Sequence, residues 1–255
     1  MRFASLGSGS QGNALLVEAG RTRILLDCGF SLADATRRLA RLGVRPEDLS
    51  AIIVTHEHDD HIGGVARFAR KHRLPTWMTA GTYRGLEKLF EPDIDLRLIQ
   101  GYAAFAIGDL SVEPYPVPHD AREPAQYVFS DGARRLGVLT DVGHGTPYIQ
   151  RCLSGCDALV MECNHDPALL EGSDYPYSLK QRIASRFGHL DNAQAAALLC
   201  AIDRRRLQHV LAAHLSETNN RPDLARAALS SALGCTRDWI GIADQYGGFD
   251  WRQII

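Results

Sequence analysis

Apolar positions along the chain fall into short runs separated by turn residues. Arg2–Leu6, Ala14–Ala19 and Arg23–Asp27 are mainly apolar and carry no helical period, which predicts three strands joined as a meander with a turn at Gly20. Ser31–Leu42 then spaces Leu32, Leu39 and Leu42 for a helix, with Ser31 as N-cap and Gly43 as the stop. Ala51–Thr55 reads as a short buried strand, and a helix is expected near Gly63–His72. From Leu74 to Thr140 the pattern predicts short strands with turns at Gly101, Gly108 and Gly132, interrupted by one helix around Thr82–Phe90. Strands are then expected at Ala158–Met161, His209–Ala213 and around Trp239–Ala243. Helices are expected from Leu190–Asn192 through Ile202 and over Asp223–Leu233. Strand meanders alternating with helices predict sheets covered by helices, an α/β or α+β layered fold. No linker divides the chain, so residues 1–255 read as one domain.

With 255 residues, 45% hydrophobic and 23% charged, the chain is neither disordered nor fibrous. A chain of this length buries roughly 70–75% of its unfolded surface and needs no metal to fold, so a metal site here would serve chemistry. The net charge of −2 argues against a uniformly basic nucleic-acid coat, though a local patch can still take phosphate. No apolar run reaches the ~18 residues of a membrane span, and the first residues lack a secretory signal, so no membrane partner and a cytoplasmic location are expected. The six cysteines contain no C-x-x-C pair and read as reduced side chains rather than a zinc knuckle.

Thr55-His56-Glu57-His58-Asp59-Asp60-His61 concentrates three histidines and several carboxylates directly after a predicted buried strand, in the pattern H-x-H-x-D-H. Imidazole and carboxylate are ligands of zinc and related divalent ions, and a tight loop can aim alternate side chains at two adjacent centres. The other reading is a solvated loop whose histidines titrate near pH 6.5. Two metal spheres need further ligands. His119, Asp141 and His214 each follow an extended apolar stretch; singly each reads as a buried hydrogen-bonded residue, together as the missing ligands.

Gly7-Ser8-Gly9-Ser10-Gln11-Gly12 matches the dinucleotide fingerprint G-x-G-x-x-G, with Asp27 downstream. Asn13–Ala19 leaves no room for the helix that fingerprint requires before the Gly20 turn. The loop is either a tight turn or a place where Ser8, Ser10 and Asn13 donate to a substrate phosphate. Arg204-Arg205-Arg206 reads as a solvated helix end before it reads as a nucleic-acid track.

The H-x-H-x-D-H loop with the later His, Asp and His resembles the metallo-β-lactamase fold superfamily over residues 1 to about 250. The resemblance implies a four-layer αββα sandwich with a two-metal site at one edge of the sheets. His56, His58 and His119 would hold one ion, Asp60, His61 and His214 the other, and Asp141 would bridge them. Ser8–Asn13, Glu162–Asp166, Tyr175–Lys180, Gly188–Asn192 and His214–Asn220 further resemble the YycJ/WalJ-like branch, relatives of RNase Z and RNase J. Asp191 and Asp59 stand where that branch usually or often has Ser, and the chain is too short for the extra β-CASP domain of RNase J.

That branch implies a phosphodiesterase acting as a 5′-exonuclease on DNA ends through a metal-bridging hydroxide, with nucleic acid as substrate. Zinc or manganese is expected, and iron also suits such donors. Two ions and two carboxylates leave a positive site that attracts phosphate, and ions roughly 3.5–4 Å apart lower the pKa of a bridging water toward 7. Asp60, His189 and Glu162 are the expected catalytic residues. His189 corresponds to a Gly-His motif of RNase Z and would protonate the leaving alkoxide, with Glu162 orienting it or His214; otherwise His189 caps or packs its helix. Two other readings stand beside this one: a hydrolase of a cyclic phosphodiester, thioester or lactone, and a binding protein that keeps the metals for structure. No motif for a protein partner is present.

Overall fold

Period-two alternation sorts the strand side chains onto two faces, and that sorting builds the layers. A computed structural model describes residues 1–90 and 93–255; residues 91–92, inside the Leu74–Thr140 stretch, lie outside the described residues. The strands are β1 (Arg2–Gly7), β2 (Ala14–Ala19), β3 (Thr22–Leu26), β4 (Ala51–Ile53), β5 (Thr76–Thr79), β6 (Leu96–Ile99) and β7 (Phe105–Ile107). They continue with β8 (Leu110–Pro116), β9 (Ala125–Ser130), β10 (Arg135–Leu139), β11 (Ala158–Glu162), β12 (His209–Ala213), β13 (Ile240–Ile242) and β14 (Phe249–Gln253). One sheet runs β14-β1-β2-β3-β4-β5-β6 and the other β13-β12-β11-β10-β9-β8-β7. Neighbours from β3 to β6 and from β10 to β13 are parallel; the remaining pairs are antiparallel.

Phe3, Leu15, Val17, Ile24, Leu26 and Ile53 meet Val112, Tyr127, Phe129, Val138, Val160 and Leu211 between the sheets. Their neighbours Leu16, Leu25 and Ile52 point the other way, onto helices α1 (Leu32–Arg41) and α3 (Val65–His72) through Leu39 and Phe68. Behind the second sheet, Leu159, Met161, Val210 and Ala212 pack on Leu198, Leu199 and Leu229 of α8 (Asn192–Ala201) and α9 (Pro222–Leu233). The layers are therefore helix, sheet, sheet, helix, with the central strands of each sheet buried on both faces.

The remaining helices are α2 (Asp59–Ile62), α4 (Ala80–Leu86), α5 (Pro147–Leu153), α6 (Pro167–Gly172) and α7 (Tyr177–Ile183). Four features depart from the sequence reading. The histidine loop turns helical at α2 before α3 begins, and the helix expected over Thr82–Phe90 is α4, capped by the Thr79 hydroxyl. Helices α5, α6 and α7 were not expected, since six or seven residues are too few to establish a period. Local signals did exist: Thr146-Pro147 and Asp166-Pro167 are an N-cap followed by proline at the first helical position. Strand β14 was also unread, although Phe249, Asp250 and Trp251 alternate between buried, exposed and half-buried.

Candidate metal centre and catalytic cleft

Parallel strands end together, and here their carboxyl ends carry the chemistry. Asp27 follows β3, His56 lies three residues past β4, Asp141 follows β10, Glu162 ends β11 and His214 follows β12. Among the described non-glycine residues, four have positive φ, and three of those are Asp27 (60°), Asp141 (52°) and His214 (53°). Asp and His tolerate this left-handed conformation better than branched residues, yet each instance costs about 1–3 kcal/mol. The fold sustains this strain where the chain leaves a strand, turning Asp141 and His214 into the cleft and Asp27 onto His61.

The structure brings the seven predicted ligands together in two groups. His56, His58 and His119 form one, with His56 Nε2 at 3.0 Å and His119 Nε2 at 3.3 Å from His58 Nδ1. Asp60, His61, Asp141 and His214 form the other: His61 Nε2 lies 3.0 Å from Asp141 Oδ2 and His214 Nε2 3.2 Å from Asp60 Oδ2. Ligands held at about 2.1 Å around a tetrahedral ion stand roughly 3.4 Å apart, so these spacings suit a cation at each group. The tautomers agree. His119 Nδ1 is 3.1 Å from the Gly188 carbonyl and His61 Nδ1 is 2.8 Å from Asp27 Oδ2, which places the proton on Nδ1 and turns the Nε2 lone pair into each group. Asp141 Oδ2 is buried without a hydrogen-bond donor. Lone pairs facing lone pairs in a buried site call for a positive charge between them.

The electrostatics divide the ligands by protonation state. Burial and the neighbouring imidazoles hold His56 well below its ordinary pKa, and burial likewise lowers His119, so both stay neutral, the form that coordinates. Burial also works against charged His61 and His214, but the Asp141 and Asp60 carboxylates outweigh it. They raise His61 well above its ordinary value and His214 to about 9.

A third group adjoins these two. His189 Nδ1 lies 2.7 Å from Glu162 Oε1 and 3.6 Å from Asp141 Oδ1. Glu162 is fully buried, and its Oε2 accepts from the backbone N–H of Val142 and Leu190. His58, Asp60, Asp141, His189 and His214 share one cavity of ≈ 420 Å³ with Ser10 and Asp120. The sequence profile of the beta-lactamase superfamily domain matches residues 22–210, which include six of the seven predicted ligands.

The chain belongs to the beta-lactamase superfamily. It is 37% identical over 237 residues to exodeoxyribonuclease YycJ of Bacillus anthracis, covering 91% of this chain and 89% of that protein. It is 32% identical over 245 residues to exodeoxyribonuclease WalJ of Streptococcus pneumoniae, covering 94% and 91%. These place it in the YycJ/WalJ family. In fold it matches the metallo-beta-lactamase fold protein YhfI of Bacillus subtilis, with a TM-score of 0.74 over 99% of each chain at 17% identity.

In this superfamily member the N-terminal loop divides its duties. Ser10 is exposed and lines the cleft. Ser8 is buried, its hydroxyl accepting from the His214 backbone N–H at 2.9 Å and donating to Asn13 Oδ1. Asn13 Nδ2 lies 3.2 Å from both Asp60 Oδ2 and His61 Nε2. Ser8 and Asn13 thus spend their polar atoms holding the predicted ligands, and Ser10 alone of the three lies on the cleft wall. Asp191 caps α8 by accepting from Gln194 N–H, a duty that Ser would also perform.

Two residues escaped the sequence reading. Asp27, noted there only for its distance from Gly7, fixes His61, while Thr55 donates to it from both backbone and hydroxyl. Asp120 lies on the cleft with Oδ1 3.4 Å from His119 Nε2 and Oδ2 paired with Arg182. The adjacent His119-Asp120 pair was the available signal. Arg205 and Arg206 pair with Asp203 and Asp157, and Arg204 donates to the Ala232 carbonyl, so this basic run is tied down within the protein. Among the described residues no helix is long and apolar enough to cross a membrane.

Proposed function

We propose that the chain is a metal-dependent phosphodiesterase that removes nucleotides from DNA ends as a 5′-exonuclease. One observation carries this reading: His189, gripped by a buried carboxylate, opens onto the same cleft as two convergent groups of metal-type donors. His56, His58 and His119 would hold one divalent ion, Asp60, His61 and His214 the second, with Asp141 between them; zinc or manganese suits these donors. Such ions activate water near neutral pH and withdraw charge from a phosphoryl oxygen.

The residues of the chain account for the rest. His189 presents its second nitrogen to the cleft and delivers a proton to the leaving alkoxide, while Glu162 fixes the ring and offsets the positive charge it carries. Ser8 and Asn13 hold His214, Asp60 and His61 in register. DNA is favoured over a small ester because the relatives aligned along most of the chain bear the names of exodeoxyribonucleases.

The test is end-labelled duplex and single-stranded DNA, with and without 5′-phosphate, incubated with the protein and zinc or manganese. Stepwise nucleotide release from the 5′ end that stops with chelator supports the reading. Hydrolysis of a cyclic phosphodiester or thioester, with every DNA substrate intact, contradicts it.

A further inference from the structure

Helix α7 has an apolar face but no core. None of its residues is buried, and Leu179 and Ile183 belong to none of the three apolar clusters of the fold. Leu179, Arg182 and Ile183, spaced i, i+3 and i+4, lie on one side of the helix. Together with Tyr175 they line the wall of the cleft that also holds Asp141 and His189. Half-buried aliphatic and aromatic side chains beside a strongly polar site gain little from folding, since water still reaches them.

Arg182 is aimed by a carboxylate. Its Nε donates to Asp120 Oδ2 at 2.5 Å, and its terminal amino groups make no protein hydrogen bond among the described residues. Its side chain is 59% exposed. The helix is also registered against His189. The His189 backbone N–H donates to the Ile183 carbonyl at 2.9 Å, and Gly188 packs so tightly that a Cβ there would come within 2.2 Å of the Arg182 and Ile183 carbonyl oxygens. A group bound on α7 is thereby held at a fixed offset from His189.

We propose that this face is the strand-binding wall of the enzyme. Arg182 takes a backbone phosphate next to the scissile one, and Tyr175, with Leu179 and Ile183, carries the adjoining base. The proposal rests on the nuclease reading and deepens it. A polynucleotide offers what the wall displays, a second phosphate for a guanidinium fork and a flat π-face for an aromatic ring. A thioester or a lone cyclic phosphodiester offers no second phosphate.

The test compares an oligonucleotide with bis(p-nitrophenyl) phosphate, which has one phosphate and no base. Arg182→Ala should raise KM for the oligonucleotide about tenfold to a hundredfold and lower the salt dependence of its binding by about one phosphate contact. Its loss on bis(p-nitrophenyl) phosphate should be smaller by about tenfold or more. Arg182→Lys should recover part of the affinity, and Tyr175→Ala should weaken oligonucleotide binding while Tyr175→Phe preserves it. Fluorescence anisotropy of a labelled oligonucleotide with the protein in chelator reads binding apart from turnover. Equal losses on both substrates would overturn the proposal and place Arg182 behind Asp120 as a support of the site. Unchanged oligonucleotide binding in Arg182→Ala would overturn it as well. Failure of the nuclease reading is separately visible: the wild-type protein would hydrolyse bis(p-nitrophenyl) phosphate and leave every oligonucleotide intact, which sinks both.

Discussion

Glu162 Oε1 stands 2.7 Å from His189 Nδ1, while its Oε2 accepts from the Leu190 backbone N–H at 3.1 Å. One buried carboxylate therefore grips both the imidazole ring and the backbone beside it. Burial alone would lower the His189 pKa, but the Glu162 charge and hydrogen bond, with Asp141, raise it above its ordinary value.

That raised value sets the sign of a pH effect. An acid must be protonated to act, so activity falls as pH climbs past the His189 pKa, and Glu162 keeps that limb at higher pH. Glu162→Gln should move the limb to lower pH, so kcat/KM falls more at pH 8 than at pH 6. Parallel pH profiles for the two proteins would count against this coupling.

His189→Ala removes the proton donor without removing a predicted ligand. Turnover on DNA should fall about 10²–10⁴-fold, the usual contribution of general acid catalysis, while metal content by elemental analysis stays at the wild-type level. Unchanged turnover would refute the role.

Asp27 touches His61 at 2.8 Å and takes two hydrogen bonds from Thr55. Asp27→Ala should leave the circular dichroism spectrum intact and weaken metal affinity about 10–100-fold in chelator competition, as expected when a ligand histidine loses its carboxylate. Equal affinities would show that Asp27 serves the turn after β3 alone.

Metal binding should release protons. With its pKa raised to about 9, His214 holds a proton at pH 7 that a bound cation must displace, so apparent affinity rises with pH toward about 9 and then levels. Titration calorimetry in two buffers of different ionisation enthalpy reads the release directly. Affinity independent of pH between 6 and 8 would contradict it.

The thiols test the fold independently of the site. Burial pushes the Cys28 thiol up to about 12 and Cys156 up to about 11, and raises Cys163 as well, whereas Cys200 is exposed. A thiol reagent at pH 8 should modify Cys200 promptly and Cys28 and Cys163 only after unfolding. Rapid modification of all six would place the core elsewhere.

Much of the cleft was legible because its residues follow readable strands. His56 to His61 lie in one short loop, and Asp141 and His214 each terminate an apolar run whose β character is plain. What stayed hidden depends on contacts between distant parts of the chain. Asp27 reaches His61 across 34 positions through a left-handed turn, and Ser8 meets His214 across 206. No local pattern encodes either meeting. Helix α7 was hidden for another reason: seven residues are too few to establish a period. For Ser8 and Asn13 the sequence left a tight turn and a phosphate contact both open, and in the structure both side chains turn inward to hold predicted ligands.

The two donor groups should load divalent ions, and those ions should make the cleft a nuclease. The most direct measurement is metal content and 5′-end nucleotide release on the same preparations of wild type and His58→Ala. Two ions per wild-type chain with metal-dependent release, and loss of both an ion and the activity in His58→Ala, is the expected result. Full activity in His58→Ala, or a wild-type protein that binds two ions and releases no nucleotide from any DNA end, would contradict it.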